Sequence, residues 1–153
     1  MTAITVKRSR LIRIPAIIDG FDGTISVVEN RALIPFAIKR VYYIYNLIHH
    51  ENVVRGKHAH KTLEQVLFCI NGSCRVLLND GMREQEIELS DPSLGIYLGP
   101  LLWHTMYDFR NNCILLVLAS DFFKEEEYIR DFGAFKAFVE SKQHEMTARG
   151  IPQ

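Results

Sequence analysis

The sequence lacks an excess of charge of either sign, because 18 lysine and arginine residues balance 18 aspartate and glutamate residues. A basic surplus is the usual mark of proteins that bind nucleic acid or anionic membrane surfaces. We therefore expect neither kind of partner, and no segment resembles a helix-turn-helix. The basic residues near the N-terminus are not followed by a long apolar run. We expect a cytoplasmic protein without a signal peptide or a membrane span.

Cysteine is also scarce. The 153-residue chain has three cysteines, Cys69, Cys74 and Cys113, and no two of them form a CxxC pair. Zinc sites and redox-active pairs usually show that kind of close spacing. Cys69 and Cys74 lie in apolar, strand-like stretches. We expect the cysteines to be small buried hydrophobic residues rather than ligands or nucleophiles.

Short segments rich in β-branched and aromatic residues recur along most of the chain, as is typical of a sandwich or a barrel. Asn71 and Gly72 predict a hairpin turn between two such segments, and residues 79–81 predict another turn. We predict a single all-β domain over residues 1–153, with a barrel at about 10–120.

Beyond Asp121 the pattern changes to acidic residues followed by aromatic residues at helical spacing. We predict C-terminal helices over residues 121–147, with Gly133 separating a short turn from a longer helix. The aromatic stripe of Phe132, Phe135 and Phe138 is interpreted as packing rather than as a cofactor site.

Two histidines one residue apart open the most informative stretch. His58 and His60 would point to the same face of a strand, which in a barrel can be the interior. Gln65, Gly72 and His104 follow at intervals that resemble those of the cupins. The resemblance implies a double-stranded jelly-roll barrel, and the metal-binding members of that family coordinate through two histidines, a glutamate and a distant histidine.

Gln65 departs from that ligand set, because metal-binding cupins have glutamate at its position. A neutral amide is a poorer ligand for a divalent ion than a carboxylate, and Glu64, one position away, would face the other side of a strand. We therefore expect no metal and no cofactor. Neutral imidazoles can instead accept and return protons near physiological pH. A metal-dependent cupin enzyme and a non-catalytic sugar-binding cupin remain alternatives.

Four longer stretches resemble the nucleotide-sugar 3,4-ketoisomerases: PFAIKRVYYIYN, RGKHAHKTLEQVLFCINGSCRVLLNDG, GIYLGPLLWHTMYDF and VLASDFFKEEEYIRDF. The RGxHAHKxLxQ block is the most specific of these motifs. The resemblance implies a metal-independent homodimer, with N-terminal strands contributed across its interface. It also implies that a dTDP-linked 4-keto-6-deoxy hexose is the partner and that the keto group moves from C4 to C3. The product would feed 3-amino-3,6-dideoxy sugars into surface polysaccharides, S-layer glycans or antibiotics.

This isomerisation needs either a base and an acid or one group that shuttles the proton, together with donors that stabilise an enediolate. His58 is predicted to be the base and His60 its partner or relay. Arg40 and Tyr42 lie two apart in a predicted strand and can both face the barrel interior. We expect Arg55 to pair with the diphosphate or to orient the histidines. The predicted catalytic residues are His58, His60 and Tyr42, and the predicted substrate-binding residues are Arg40, Arg55, Gln65 and His104.

The resemblance also bears on the configuration at C4. His104 follows the tryptophan of the GPxxWH motif, as in members that give the galacto product. The resemblance therefore implies dTDP-3-keto-6-deoxy-D-galactose. The second region that matters for this choice is DGFDGT, where Phe21 and Asp22 stand instead of the expected arginine or tyrosine.

Overall fold

The structure is a computed structural model that describes residues 3–29, 32–47 and 52–148. Strands dominate this part of the chain, and one helix follows them. The elements are β1 (Ser9–Arg13), β2 (Ala16–Ile18), β3 (Thr24–Ser26), β4 (Arg40–Ile44), β5 (Arg55–His60), β6 (Gln65–Asn79), β7 (Glu84–Leu89), β8 (Leu94–Leu98), β9 (Trp103–Ala119), a 3-10 turn (Glu125–Glu127), β10 (Tyr128–Ile129) and α1 (Phe132–Ala148).

Two long strands, β6 and β9, connect the two halves of the barrel. They pair antiparallel along their whole length, from Gln65 opposite Ala119 to Asn79 opposite Trp103. One half of this pair is flanked by β8 and β4, and the other half by β7 and β5. Bulges in the middle of the pair allow both strands to bend, so that the eight-stranded sheet curls into a barrel. The prediction of an all-β jelly-roll barrel is confirmed.

The predicted hairpin at Asn71 and Gly72 is wrong, because β6 runs through both residues without reversing. The chain reverses instead at Asp80–Arg83, so the turn predicted at residues 79–81 is confirmed. Gly72 has a φ of +71°, and a Cβ atom there would clash with the carbonyl oxygen of Arg110. The Asn-Gly pair therefore forms a bulge where two strands pass very close to each other.

Helix α1 covers the outer face of β5. Phe135 and Val139 of the helix are buried in one cluster with Ala59 and Trp103. Since side chains alternate along a strand, burying Ala59 under the helix turns its neighbours His58 and His60 toward the barrel interior. The helix thus holds the histidine strand in place from outside.

The helical region begins later than predicted. Residues 121–131 contain the 3-10 turn and β10 rather than a helix, and Gly133 lies inside the first turn of α1. Asp131 marks the boundary, because its side-chain oxygen Oδ1 accepts a hydrogen bond of 2.7 Å from the backbone N–H of Ala134. This is a typical N-cap contact, and it explains why the helix starts at Phe132.

The three cysteines are buried, as predicted. They lie in the apolar core of the barrel, with their sulfur atoms within 4.8 Å of one another. Across the described ranges, the structure has no helix long and apolar enough to cross a membrane.

The bulge in β6 leads to a stability prediction. Gly72→Ala should lower the free energy of unfolding by about 2–4 kcal/mol, because left-handed backbone strain adds to a clash with neighbouring backbone. Gly20→Ala is the matched control: Gly20 also has a positive φ, +54°, but no atom lies within 4 Å of its would-be Cβ. It should cost only about 1 kcal/mol. Urea denaturation measures both values, and equal losses would contradict the assignment of the bulge.

Candidate active site

A cavity of about 500 Å³ opens inside the curled sheet of the barrel. Six of the seven predicted site residues line it, and they come from β4, β5, β6 and β9. His60 lies beside the cavity, with its ring centroid 4.8 Å from that of His58. The six lining residues are Arg40, Tyr42, Arg55, His58, Gln65 and His104.

A bulge at Gly56 sets the orientation of His58. Gly56 has a φ of +81°, and a Cβ atom there would lie 2.7 Å from the carbonyl oxygen of His104, so glycine allows β5 to approach β9 this closely. The carbonyl oxygen of Gly56 lies 3.0 Å from Nδ1 of His58. Because a carbonyl oxygen can only accept a hydrogen bond, Nδ1 carries the proton and Nε2 keeps its lone pair.

The other two histidines complete a buried cluster. His104 has its Nδ1 atom 3.2 Å from the carbonyl oxygen of Leu102, so its Nε2 atom also keeps a lone pair. The ring centroids of His104 and His58 are 4.7 Å apart. Among the described residues, neither ring nitrogen of His60 has a hydrogen-bond partner.

Burial keeps these imidazoles neutral. It lowers the pKa of His58 to about 4 and the pKa of His60 to about 3, and the nearby charge of Arg130 acts in the same direction. The pKa of His104, which is fully enclosed, is lowered well below its ordinary value for the same reason. Near neutral pH, all three rings are therefore neutral, and each has a nitrogen lone pair that can accept a proton.

Gln65 positions the Tyr42 hydroxyl. Its Nε2 atom donates a hydrogen bond of 2.9 Å to the Tyr42 hydroxyl oxygen. This bond does not use the Tyr42 O–H, which can therefore donate into the cavity. Burial raises the pKa of Tyr42, although Arg40 and Gln65 partly oppose this shift. Glu64 faces away, as predicted, and accepts a hydrogen bond of 2.6 Å from Tyr97.

Two arginines give the cavity a positive charge. The guanidinium carbon of Arg40 lies 5.2 Å from the ring centroid of Tyr42 and 5.8 Å from that of Phe123. Its buried Nε atom has no hydrogen-bond partner within the described ranges. Arg55 lines the cavity on β5, next to the Gly56 bulge. An anionic or carbonyl-bearing ligand is the natural complement of such a site.

Sequence reasoning missed three cavity residues that follow the barrel: Phe123, Tyr128 and Arg130. Tyr128 pairs opposite His60 across β10 and β5, so both side chains face the same way. The Tyr128 ring centroid lies 4.4 Å from that of His60 and 4.9 Å from that of His58. The sequence feature that could have revealed Tyr128 and Arg130 is the alternation of polar, apolar and polar residues at 128–130, which indicates a short strand.

The histidine cluster has a geometry that a metal ion could use. The three rings present nitrogen atoms within 4.8 Å of one another. Two of them have Nδ1 held by a backbone carbonyl, as metal-ligating histidines often do. Glu64 faces away, however, and Gln65 supplies only a neutral amide. The side chains therefore allow a three-imidazole site without the usual carboxylate.

Comparison with known proteins shows close similarity to sugar isomerases. Residues 7–140 match the family model described as "FdtA: WxcM-like, C-terminal". The chain is 49% identical over 131 residues to TDP-4-oxo-6-deoxy-alpha-D-glucose-3,4-oxoisomerase of Aneurinibacillus thermoaerophilus, which covers 86% of this chain and 92% of that protein.

Solved structures give the same result. QdtA, a sugar 3,4-ketoisomerase from Thermoanaerobacterium thermosaccharolyticum solved in complex with TDP, has a TM-score of 0.85 at 41% identity, over 90% of this chain and 98% of that one. WlaRB, a TDP-quinovose 3,4-ketoisomerase from Campylobacter jejuni, has a TM-score of 0.80 at 42% identity, over 86% and 99% of the two chains. With the histidine-lined jelly roll described above, these matches place the chain in the FdtA family of cupin-fold nucleotide-sugar 3,4-ketoisomerases.

Proposed function

We propose that this enzyme acts on TDP-4-keto-6-deoxy-D-glucose, moves its keto group from C4 to C3 without a metal, and uses His58 as the base. One observation carries the proposal: His58 is a neutral imidazole whose Nδ1–H is held by Gly56, so that Nε2 is available in the cavity. The substrate class is supported by a QdtA variant that was solved in complex with TDP-4-keto-6-deoxyglucose.

In the first step, Nε2 of His58 removes the proton from C3, which is acidified by the adjacent C4 ketone. The electron pair of the C3–H bond forms the C3–C4 double bond, and the C4 carbonyl electrons move onto its oxygen. The developing oxyanion needs donors. The Arg40 guanidinium and the Tyr42 hydroxyl lie on the same cavity wall and supply them.

In the second step, the C3 hydroxyl loses its proton and becomes the ketone, while C4 receives a proton. The net change moves one hydrogen from C3 to C4 and one from the C3 oxygen to the C4 oxygen, so atoms and electrons balance. His58, protonated in the first step, returns its proton to C4. Its pKa of about 4 favours that return, because burial makes the imidazolium more acidic than one in water.

The remaining residues orient these groups. Gln65 fixes the Tyr42 hydroxyl through its amide, and His60 contacts His58 edge to face, so it is placed to relay a proton. Arg55 at the cavity wall is assigned to the diphosphate. His104 contacts His58. Its position after the tryptophan of the GPxxWH motif supports the galacto configuration of the proposed product, TDP-3-keto-6-deoxy-D-galactose. Phe21, which belongs to the DGFDGT region that also bears on the C4 configuration, is fully exposed at the tip between β2 and β3.

The downstream use is part of the same proposal. A 3-keto sugar is the substrate that an aminotransferase needs in order to make a 3-amino-3,6-dideoxy sugar, for a surface polysaccharide such as an O-antigen. A cytoplasmic location remains a prediction. NMR of the product formed from TDP-4-keto-6-deoxyglucose identifies both the position of the ketone and the configuration at C4.

A homodimer is proposed from the exposed apolar surface of the N-terminal region. Ile18 is 78% exposed on the β2–β3 hairpin, and the outward face of β4 leaves Tyr43 64% exposed. Exposed apolar strands of this kind are usually covered by a partner.

The assignment of His58 leads to the central prediction. His58→Asn should fold but lose about 10²–10⁴-fold in turnover, because an amide cannot accept the C3 proton. His60→Asn should lose less if His60 only relays or orients. His144→Asn, on the exposed face of α1, is the matched control and should retain wild-type turnover.

Exchange of the C3 hydrogen with solvent deuterium, followed by NMR, measures the abstraction step directly. It should disappear in His58→Asn, with circular dichroism verifying the fold of each variant. Exchange at the wild-type rate in His58→Asn would reject His58 as the base and leave His60 or Tyr42 in that role.

Metal independence is tested by chelation. Enzyme dialysed against EDTA should keep its turnover, and elemental analysis of the purified protein should find less than one metal ion per chain. The reason is that Gln65 replaces the carboxylate ligand and that proton transfer needs only neutral imidazoles. Activity that disappears on chelation and returns with one added divalent ion would instead support a metal-dependent cupin using the three histidines.

Light scattering tests the assembly. The wild-type protein at micromolar concentration should have twice the chain mass of 17.7 kDa. Ile18→Lys should weaken the dimer, because it places a charge on the apolar hairpin. Met82→Lys, at another exposed apolar position, should leave the mass unchanged. A stable wild-type monomer would contradict the proposal.

A further inference from the structure

Arg130 forms an ion pair at the edge of the cavity that the isomerisation does not use. Its Nε atom lies 2.8 Å from Oε1 of Glu125, and its Nη2 atom lies 3.0 Å from Oε2. This is a two-pronged contact between a guanidinium and a carboxylate. The same guanidinium stacks on Tyr128, 4.3 Å from its ring centroid, and Arg130 lines the cavity with the histidines.

Arg130 differs in this respect from the other two cavity arginines. Within the part of the chain that the structure describes, Arg40 and Arg55 have no carboxylate partner, whereas Arg130 is neutralised by Glu125. The charges of this pair affect the pKa of His58: Glu125 raises it and Arg130 lowers it. Arg130 stacks on Tyr128, whose ring centroid lies 4.9 Å from that of His58, so Arg130 lies close enough to interact with a ligand bound over His58.

The contact has the chemistry of a diphosphate site occupied by a carboxylate. A guanidinium presents the same two parallel N–H groups to a carboxylate and to a phosphate. The side chains of Arg130 and Glu125 are 53% and 63% exposed, and ion pairs so exposed to solvent contribute little to stability. A ligand with two phosphate charges can therefore displace Glu125 readily.

We propose that Glu125 is an internal competitor for the diphosphate of the nucleotide sugar: it holds Arg130 in the free enzyme and gives it up when the ligand binds. This inference rests on the proposed function, which supplies a diphosphate-linked ligand. Substrate and product carry the same diphosphate, so the competitor weakens the binding of both. Glu125 thereby limits how tightly the enzyme retains its product.

Binding of TDP alone, measured by isothermal titration calorimetry, tests the competition without any catalytic step. Glu125→Gln should bind TDP about threefold to tenfold more tightly than wild type, because Arg130 is then free of a charged partner. Glu126→Gln is the matched control: it removes the same charge from the same 3-10 turn. It should change the TDP affinity by less than about twofold. An unchanged affinity in Glu125→Gln would overturn the proposal.

A double-mutant cycle separates competition from general repulsion. Arg130→Met keeps an apolar side chain over Tyr128 and should bind TDP more weakly than wild type. In that background, adding Glu125→Gln should change the affinity by less than about twofold, because Glu125 then has no arginine to withhold. A full gain in the Arg130→Met background would show that Glu125 only repels the ligand, and would overturn the proposal. A wild-type protein that fails to bind TDP would instead reject the proposed substrate class.

Discussion

The close approach of β5 to β9 at Gly56 is the constraint on which the active site depends. Only a residue without a Cβ atom fits against the His104 carbonyl at this point. The bulge that results turns the Gly56 carbonyl toward His58 and fixes which ring nitrogen carries the proton. The Gly56 bulge thus sets the spacing between His58 and His104 and determines the tautomer of His58.

Burial then gives these groups their chemical character. The imidazoles stay neutral because charging them inside the barrel is costly, and Tyr42 keeps its proton for the same reason. The cavity therefore combines a neutral base, a neutral acid and the fixed positive charge of Arg40. In the proposed reaction, such a set moves protons while Arg40 and Tyr42 stabilise the enediolate.

The barrel and most of the site could be predicted from the sequence because their signals are local. The two histidines of the HxH pair are close together in the sequence, and so are the alternating residues of each strand. The hairpin assigned to Asn71 and Gly72 failed because a bulge and a turn use the same left-handed glycine, and only long-range pairing with β9 distinguishes them. Residues 121–131 were predicted to be helical for a similar reason, because their acidic and aromatic residues match the local pattern of a helix start.

Tyr128 and Arg130 could not be placed from sequence because their position depends on contacts made far along the chain. The carboxylate of Glu127 accepts hydrogen bonds of 2.8 and 3.2 Å from the backbone N–H groups of Thr62 and Leu63, just beyond the histidine strand. This clamp holds β10 against β5 and brings Tyr128 opposite His60. Two glutamates of one 3-10 turn therefore differ in role: Glu127 attaches the segment to the barrel, and Glu125 pairs with the arginine that the segment brings to the cavity.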